Sequence, residues 1–291
     1  MVFAEAEEMF NELLGKKVNA KQIERVCHHY GQALENDLQA SIARGGQIKN
    51  TNNKPCYAMI DGGMIFTREE LWKEMKIARI FDWENHVNIN KERNYIGESI
   101  YVAHLGNHYD FLKKVEHELD NKGNVIFVAD GARWIWRWVE AMYPESTQIL
   151  DFYHAKQHLC QYAEAAFPNK EEKENWLSAQ TLLLLNDGIE QVMKNIANIK
   201  YGSRKGQEEK KKILQYYEEN KERMKYKTFR DQGLMIGSGP IEAAHRNLIQ
   251  QRMKLSGQRW TKKGAQQMAN LRVLNKSKKW EKLNKLINLA A

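Results

Sequence analysis

At 291 residues and 42% hydrophobic content, the chain can bury the core of one large domain or two smaller ones. No apolar run approaches a membrane span, Glu5, Glu7 and Glu8 break the order of a signal peptide, and three scattered cysteines (Cys27, Cys56, Cys160) exclude a disulfide framework and a zinc ribbon. The net charge of +8 is concentrated: from Glu242 onward twelve Lys and Arg face only Glu242 and Glu281, a local +10 that leaves −2 for the first 241 residues, which calls for a polyanionic partner.

Residues 1–50 read as a helical segment, amphipathic to Leu14 and resuming behind Asn19 as N-cap of Ala20 to Leu38. The pair is either a helix-turn-helix remnant or packing for the core. Cys27, His28 and His29 fall mid-helix and read as structural. Gly45, Gly46 and the polar stretch Lys49 to Pro55 mark a linker and a boundary. Next come a strand from Cys56 through Asp61, a bulge or close backbone approach at Gly62 and Gly63, and Met64 to Phe66. Lys73 to Phe81 and Ser99 to Ala103 complete a meander, followed by a helix over 107–120. Val125 to Ala129 is a fully apolar strand, Trp134 to Met142 a helix stopped by Pro144, and Thr147 to Leu150 a fifth strand. From Phe152 to about Lys227 only helical stripes occur, so 153–236 reads as a helical insertion into a core formed by 55–152 and 237–275, with a basic helical tail over 276–291.

Asp61 and Asp130 each follow an apolar run, and Glu242 opens a helix behind Gly237-Ser238-Gly239-Pro240. Carboxylates projecting from strand ends into the crevice of an open α/β sheet can share one charged site. Two of them ~4 Å apart repel by roughly 4 kcal/mol at an effective dielectric of 20, so such a cluster protonates or recruits a hard cation such as Mg²⁺. Three strands, then helix, strand, helix and strand, is the order of a ribonuclease H-like fold: an α/β chain with a mixed five-stranded sheet flanked by helices and a helical insertion before the last acid. Asp151 competes with Asp130 for the second position, but it ends the fifth strand, and in this fold the fourth lies beside the first. Glu242 has a simpler reading too, since any glutamate in a first helical turn gains roughly 0.3–1 kcal/mol from the dipole.

Four blocks resemble, in order, those of bacterial insertion-sequence transposases of the DDE type, closest to the Kra group: MIDGGMIF (59–66), VADGARWIWRWVEAMYP (128–144), ILDFYHAKQHL (149–159) and MIGSGPIEAAHRNLIQQRMKLSGQRWTKKGAQQMANLR (235–272). The resemblance spans roughly 56–275. It implies Mg²⁺-dependent cleavage of transposon ends and strand transfer into target DNA, with Asp61, Asp130 and Glu242 as the triad for two Mg²⁺ ions, Mn²⁺ substituting. Two such ions, about 4 Å apart, would activate the attacking oxygen and stabilise the leaving one. It also implies double-stranded DNA as partner, a homodimer or higher oligomer on that DNA, and a cytoplasmic, nucleoid-associated location. Fewer than 60 residues precede the first catalytic strand, whereas family members usually carry a longer DNA-binding portion there, so a truncated or domesticated copy is expected. The alternatives are a structure-specific nuclease on the same fold and a DNA-binding protein without catalysis.

Around this site, Arg246, Arg252, Lys254, Arg259 and Lys262 are expected to neutralise backbone phosphates, with Trp260 among them. Lys276 to Lys285 fits DNA contact or a solvated helix equally well. His154 and His158 stand one turn apart, a zinc-chelating spacing, but no Glu follows His154, so Asp151 and His154 are read as supporting or DNA-contacting. Trp134 and Trp138 read as core, leaving Trp136 for base stacking.

Overall fold

The computed structural model describes residues 2–45, 54–88, 94–120, 122–200 and 204–290, so the predicted linker and the boundary within it fall largely outside the described residues. In chain order the elements are α1 (Phe3–Leu14), α2 (Ala20–Arg44), β1 (Cys56–Thr67), β2 (Leu71–Asp82), β3 (His86–Asn88), β4 (Asn94–Ile96), β5 (Ile100–Leu105) and α3 (His108–Leu119). They continue with β6 (Val125–Ala129), α4 (Arg133–Met142), β7 (Thr147–Leu150), α5 (Phe152–Ala166), α6 (Lys170–Leu185), α7 (Ile189–Asn198), α8 (Arg204–Asn220) and α9 (Tyr226–Asp231). Last come α10 (Gly239–Ala244), a π-helical segment (His245–Gln250), α11 (Gln251–Met253), α12 (Lys262–Lys276) and α13 (Trp280–Ala290). The protein is mixed α/β, its five principal strands flanked by helices, and it divides into a first unit (Met1–Asn124 with Pro240–Ala291) and a second (Val125–Gly239).

In the first unit, β5, β2 and β1 lie antiparallel in that order. Cys56 to Ile60 and Met75 to Phe81 are unbroken apolar runs apart from Lys76 and Arg79, and both are buried along their length, as in strands covered on both faces. The pairing of β1 with β2 runs without a slip from Cys56↔Asp82 to Thr67↔Leu71. Of the two readings of Gly62 and Gly63, a bulge or a close backbone approach, the bulge is therefore not formed, and Asp61 stands mid-strand opposite Ile77 instead of at a strand's end. The reason is local: the Lys73 to Lys76 half of β2 offers each residue of Gly62 to Ile65 a partner, which overrides two glycines. The short hairpin of β3 and β4 was not expected from sequence, its strands being brief and polar.

Helix α2 starts as the sequence predicts, Asn19 accepting from Gln22 N–H while the Gln22 side chain reaches back to Asn19 N–H. It packs on α12 through Asn270, whose Nδ2 reaches Gly31 O at 3.0 Å and Glu35 Oε2 at 2.9 Å. Lys114 of α3, 1% exposed, meets Glu35 at 2.6 Å. Burial alone would raise the Glu35 carboxyl, but Lys114 and the bonds from Gln39 and Asn270 hold it below its usual value.

The second unit carries the parallel pair β6 and β7, in register from Ile126↔Thr147 to Ala129↔Leu150. All five residues of β6 are buried, and Trp138 of α4 meets Phe127 edge-on, ring centroids 5.5 Å apart. From Phe152 to Asp231 the described residues are helical, as expected, and Tyr217 ties α8 to α5 by donating its hydroxyl to Ala155 O at 3.0 Å. Among the described residues no helix is long and apolar enough to cross a membrane.

Candidate functional site

Asp61 and Glu242 belong to the first unit, and Asp130, Asp151 and His154 to the second. Asp61 is half-buried, its Oδ1 accepting from Gly62 N–H at 2.7 Å and its Oδ2 lying 3.4 Å from Nε2 of His245. The His245 ring rests against Gly63, where a Cβ would stand 2.6 Å from it, so only glycine leaves the imidazole its place. Burial pulls the His245 pKa down to about 4, opposed in part by a hydrogen bond to the Asp61 backbone. The ring is therefore neutral at pH 7, and its approach to Asp61 is a polar contact without an ionic component.

Glu242 is exposed in the first turn of α10, as predicted. That turn is held from β2 by Arg79, 9% exposed, which donates to Pro240 O at 3.0 Å and to Ser99 Oγ at 3.1 Å. Beyond Ala244 the helix widens into the π segment that carries His245 and Arg246. Widening frees backbone carbonyls from the α-pattern, and Arg272 of α12 donates to two of them, Asn247 O and Leu248 O.

In the second unit Asp130 leaves β6 half-buried. Its Oδ1 accepts from Ala132 N–H at 3.0 Å, and its Oδ2 receives no hydrogen bond among the described residues. Gly131 beside it is required by Tyr216, since a Cβ there would stand 2.1 Å from the phenol ring. Burial, then the negative charges of Asp130 and Asp151, push the Tyr216 hydroxyl well above its ordinary pKa, so it stays protonated. His158 stacks on the same ring at 4.0 Å, and burial, then His154, lower its pKa.

Asp151 is wholly buried and saturated with donors. Its Oδ1 caps α5 by accepting from Tyr153 N–H at 2.6 Å and His154 N–H at 3.2 Å, while its Oδ2 accepts from Ser238 N–H at 3.0 Å and from Ser238 Oγ–H. His154 Nδ1 lies 3.4 Å from the same Oδ2. Asp151 thus joins the start of α5 to the Gly-Ser-Gly loop that precedes Glu242. Among the described residues no group of three or more His, Cys, Asp or Glu gathers in a way that could hold a metal ion.

Of the basic residues singled out, Arg246, Lys254 and Arg259 are exposed, and half-buried Lys262 pairs with Glu70. Two assignments are corrected by burial. Arg252 is 5% exposed and lies over the rings of Phe3 and Trp260, so it stands in the floor of a cleft and not on the exposed surface with Arg246, Lys254 and Arg259. Trp260 is 7% exposed and donates Nε1 to Met253 O at 3.0 Å, which takes it off the exposed basic face. Trp136 is corrected likewise: it donates Nε1 to Asp130 O at 2.8 Å and lies 4.6 Å beneath the Arg223 guanidinium, buried at 4% exposure.

Sequence reasoning missed His245, Arg79, Ser238 and Tyr216. Two of them had a signal: His245 follows Glu242 by one helical turn, and Arg79 interrupts an apolar run. Tyr216 and Ser238 had none, because their roles come from contacts with chain 85 and 87 residues away, Gly131 and Asp151 respectively.

The profile of the uncharacterised protein family UPF0236 matches residues 47–284, and the chain belongs to that family. No curated protein and no solved structure matches it.

Proposed function

We propose that this member of UPF0236 is a DDE-type polynucleotidyl transferase with a ribonuclease H-like core, cleaving the ends of an insertion sequence and joining them to target DNA. The observation that carries the reading is the succession of the four sequence blocks, with Asp61, Asp130 and Glu242 each standing in its own block. The state of Asp130 supports it: a half-buried carboxylate with an oxygen that accepts no hydrogen bond among the described residues, beside an aspartate whose oxygens are filled. The donor set, carboxylate oxygen throughout, fits Mg²⁺ or Mn²⁺.

Asp61, Asp130 and Glu242 would hold the metal, which when bound supplies neutralisation of charge at the reacting phosphate and activation of the attacking oxygen. The chain's own residues prepare that role. His245, neutral, crowds Asp61 without neutralising its charge, and Arg79 fixes the helix that presents Glu242. Asp151 fixes the loop before it. Arg246, Lys254, Arg259 and Lys262 meet duplex phosphates, which positions DNA without reading its sequence. The same reading places the protein on nucleoid DNA in the cytoplasm, as a dimer or larger assembly.

A second reading, a DNA-binding protein without catalysis, needs only the exposed basic residues Arg246, Lys254 and Arg259. Nicking of supercoiled plasmid in Mn²⁺ separates the two. The transferase reading expects nicks from the parent and from a control altered away from the acids, Lys282→Ala. It expects none from Asp130→Asn or Glu242→Gln at equal duplex affinity, and joined products when a target duplex is added. Nicking by Asp130→Asn at the parental rate overturns the assignment, and nicks without joined products turn it into a nuclease.

A further inference from the structure

A cleft of about 280 Å³ in the first unit is lined by Phe3, His28, Arg68, Arg252, Arg259 and Trp260, among others. Arg252 lies deepest of its three arginines, 5% exposed, whereas Arg68 and Arg259 are exposed at the rim. The Arg252 guanidinium is 4.7 Å from the centroid of Phe3 and 5.2 Å from that of Trp260. Stacking engages the faces of the group and leaves its edge, which bears the N–H donors, without an acceptor among the described residues. Two carboxylates stand near: Glu24, which also lines the cleft and feels the charges of His28 and Arg68, pairs with Lys21 Nζ at 2.7 Å, and Glu5, whose charge reaches Arg252, accepts from Val2 N–H at 2.8 Å. His28 adds a buried polar atom, Nε2, that has no hydrogen-bond partner among the described residues.

A largely buried guanidinium whose N–H edge meets no protein acceptor among the described residues but still opens to the cleft is suited to an anion brought from solution. Arg252 presents the planar fork that bonds phosphate bidentately, and two rim arginines add the charge a dianion needs. We propose that this cleft binds a phosphate group, with Arg252 as anchor and Arg68, Arg259 and His28 around it. The phosphate belongs either to a free phosphate compound or to the backbone of a nucleic acid. The site uses none of Asp61, Asp130 and Glu242, so it stands or falls apart from the metal chemistry.

The test is thermal melting of the full chain titrated with sodium phosphate at constant ionic strength, with sodium chloride as reference. Parent protein is expected to gain melting temperature by mass action, and Arg252→Gln to need at least tenfold more phosphate for the same gain. Since Arg252→Gln also removes stacking, the double variant Arg68→Gln/Arg259→Gln, altered only at exposed positions, is measured beside it and decides alone if Arg252→Gln does not fold. It is expected to need several-fold more phosphate. A parental response in the double variant, or in a folded Arg252→Gln, overturns the proposal, as does a parent that responds to phosphate no more than to chloride. Competition against a labelled duplex then names the source. Displacement by phosphate assigns the site to the strand backbone, and a duplex that phosphate does not displace assigns it to a free phosphate compound.

Discussion

Two neighbouring strands of the second unit end in an aspartate, and the two aspartates are treated oppositely. Asp151, after β7, is fully buried and takes four donors from Tyr153, His154 and Ser238. Asp130, after β6, is half-buried and takes one, from Ala132. Strand and side chain are alike, so the difference lies in what the following chain delivers: β7 runs straight into a helix whose first N–H groups need a cap, whereas β6 is followed by Gly131 and Ala132 before α4 begins. A carboxylate whose lone pairs are filled is committed to holding chain together, and one with an unfilled oxygen keeps its charge for something brought from outside.

The comparison breaks most visibly in catalysis. Asp130→Asn is expected to lower Mn²⁺-dependent nicking by about a thousandfold or more with little change in melting temperature, as for loss of a metal ligand. Parental nicking would erase the distinction between the two residues. Asp151→Ala is expected to destabilise the fold by about 3–5 kcal/mol, because it leaves Ser238 and the first turn of α5 without their acceptor in a buried setting. Urea unfolding that differs from the parent by under about 1 kcal/mol would show Asp151 to be dispensable.

His104 of β5, half-buried, extends the contrast to a side chain with a buried unfilled atom, its Nδ1 having no hydrogen-bond partner among the described residues. Burial, then Lys114, lower its pKa from 6.5 to about 4. The unfolded chain therefore takes up the proton first: the contribution of neutral His104 is complete above pH 6.5 and is lost as pH falls toward 4. The loss should reach about 3 kcal/mol at most, and His104→Gln should show a shallower fall in unfolding free energy over that window. Equal slopes would place the titration elsewhere. Gly131→Ala should cost about 1–3 kcal/mol by forcing Tyr216 aside, with tyrosine fluorescence reporting the movement. The smallest effect is expected at the Lys262–Glu70 pair on the surface, where water screens both charges and Lys262→Ala should leave the urea midpoint where it is in the parent.

The five principal strands were legible because each contains an apolar run, and the helices because their caps and stripes are local. Asn19, Asn107 and Pro144 stand where a reader of the sequence would put them. What escaped depends on partners far along the chain. The Gly62-Gly63 pair reads as a bulge or a close backbone approach until β2 is laid beside it. Arg252 reads as a surface cation until Phe3, at the other end of the sequence, covers its guanidinium, and Trp136 reads as an exposed ring until Arg223 stacks on it. The π segment was hidden for a different reason, since widening a turn leaves composition unchanged. The same limit holds for the candidate site: Asp61, Asp130 and Glu242 can be proposed from type and position, but which aspartate is saturated cannot be read from them.

The first unit is assembled from both ends of the chain, with the whole second unit encoded between its parts. During synthesis, the surfaces of α2 and β5 that α12 covers are made long before Lys262 emerges. At ribosomal speeds of about 5–20 residues per second, that delay is on the order of ten to thirty seconds. For that interval an apolar three-stranded sheet waits without its last helix, while the second unit has all its residues in hand and can fold first. Nascent chains should therefore lean on holdase chaperones at the early strands, and slowing translation between β5 and α12 should lower the yield of folded protein more than slowing it beyond Lys276.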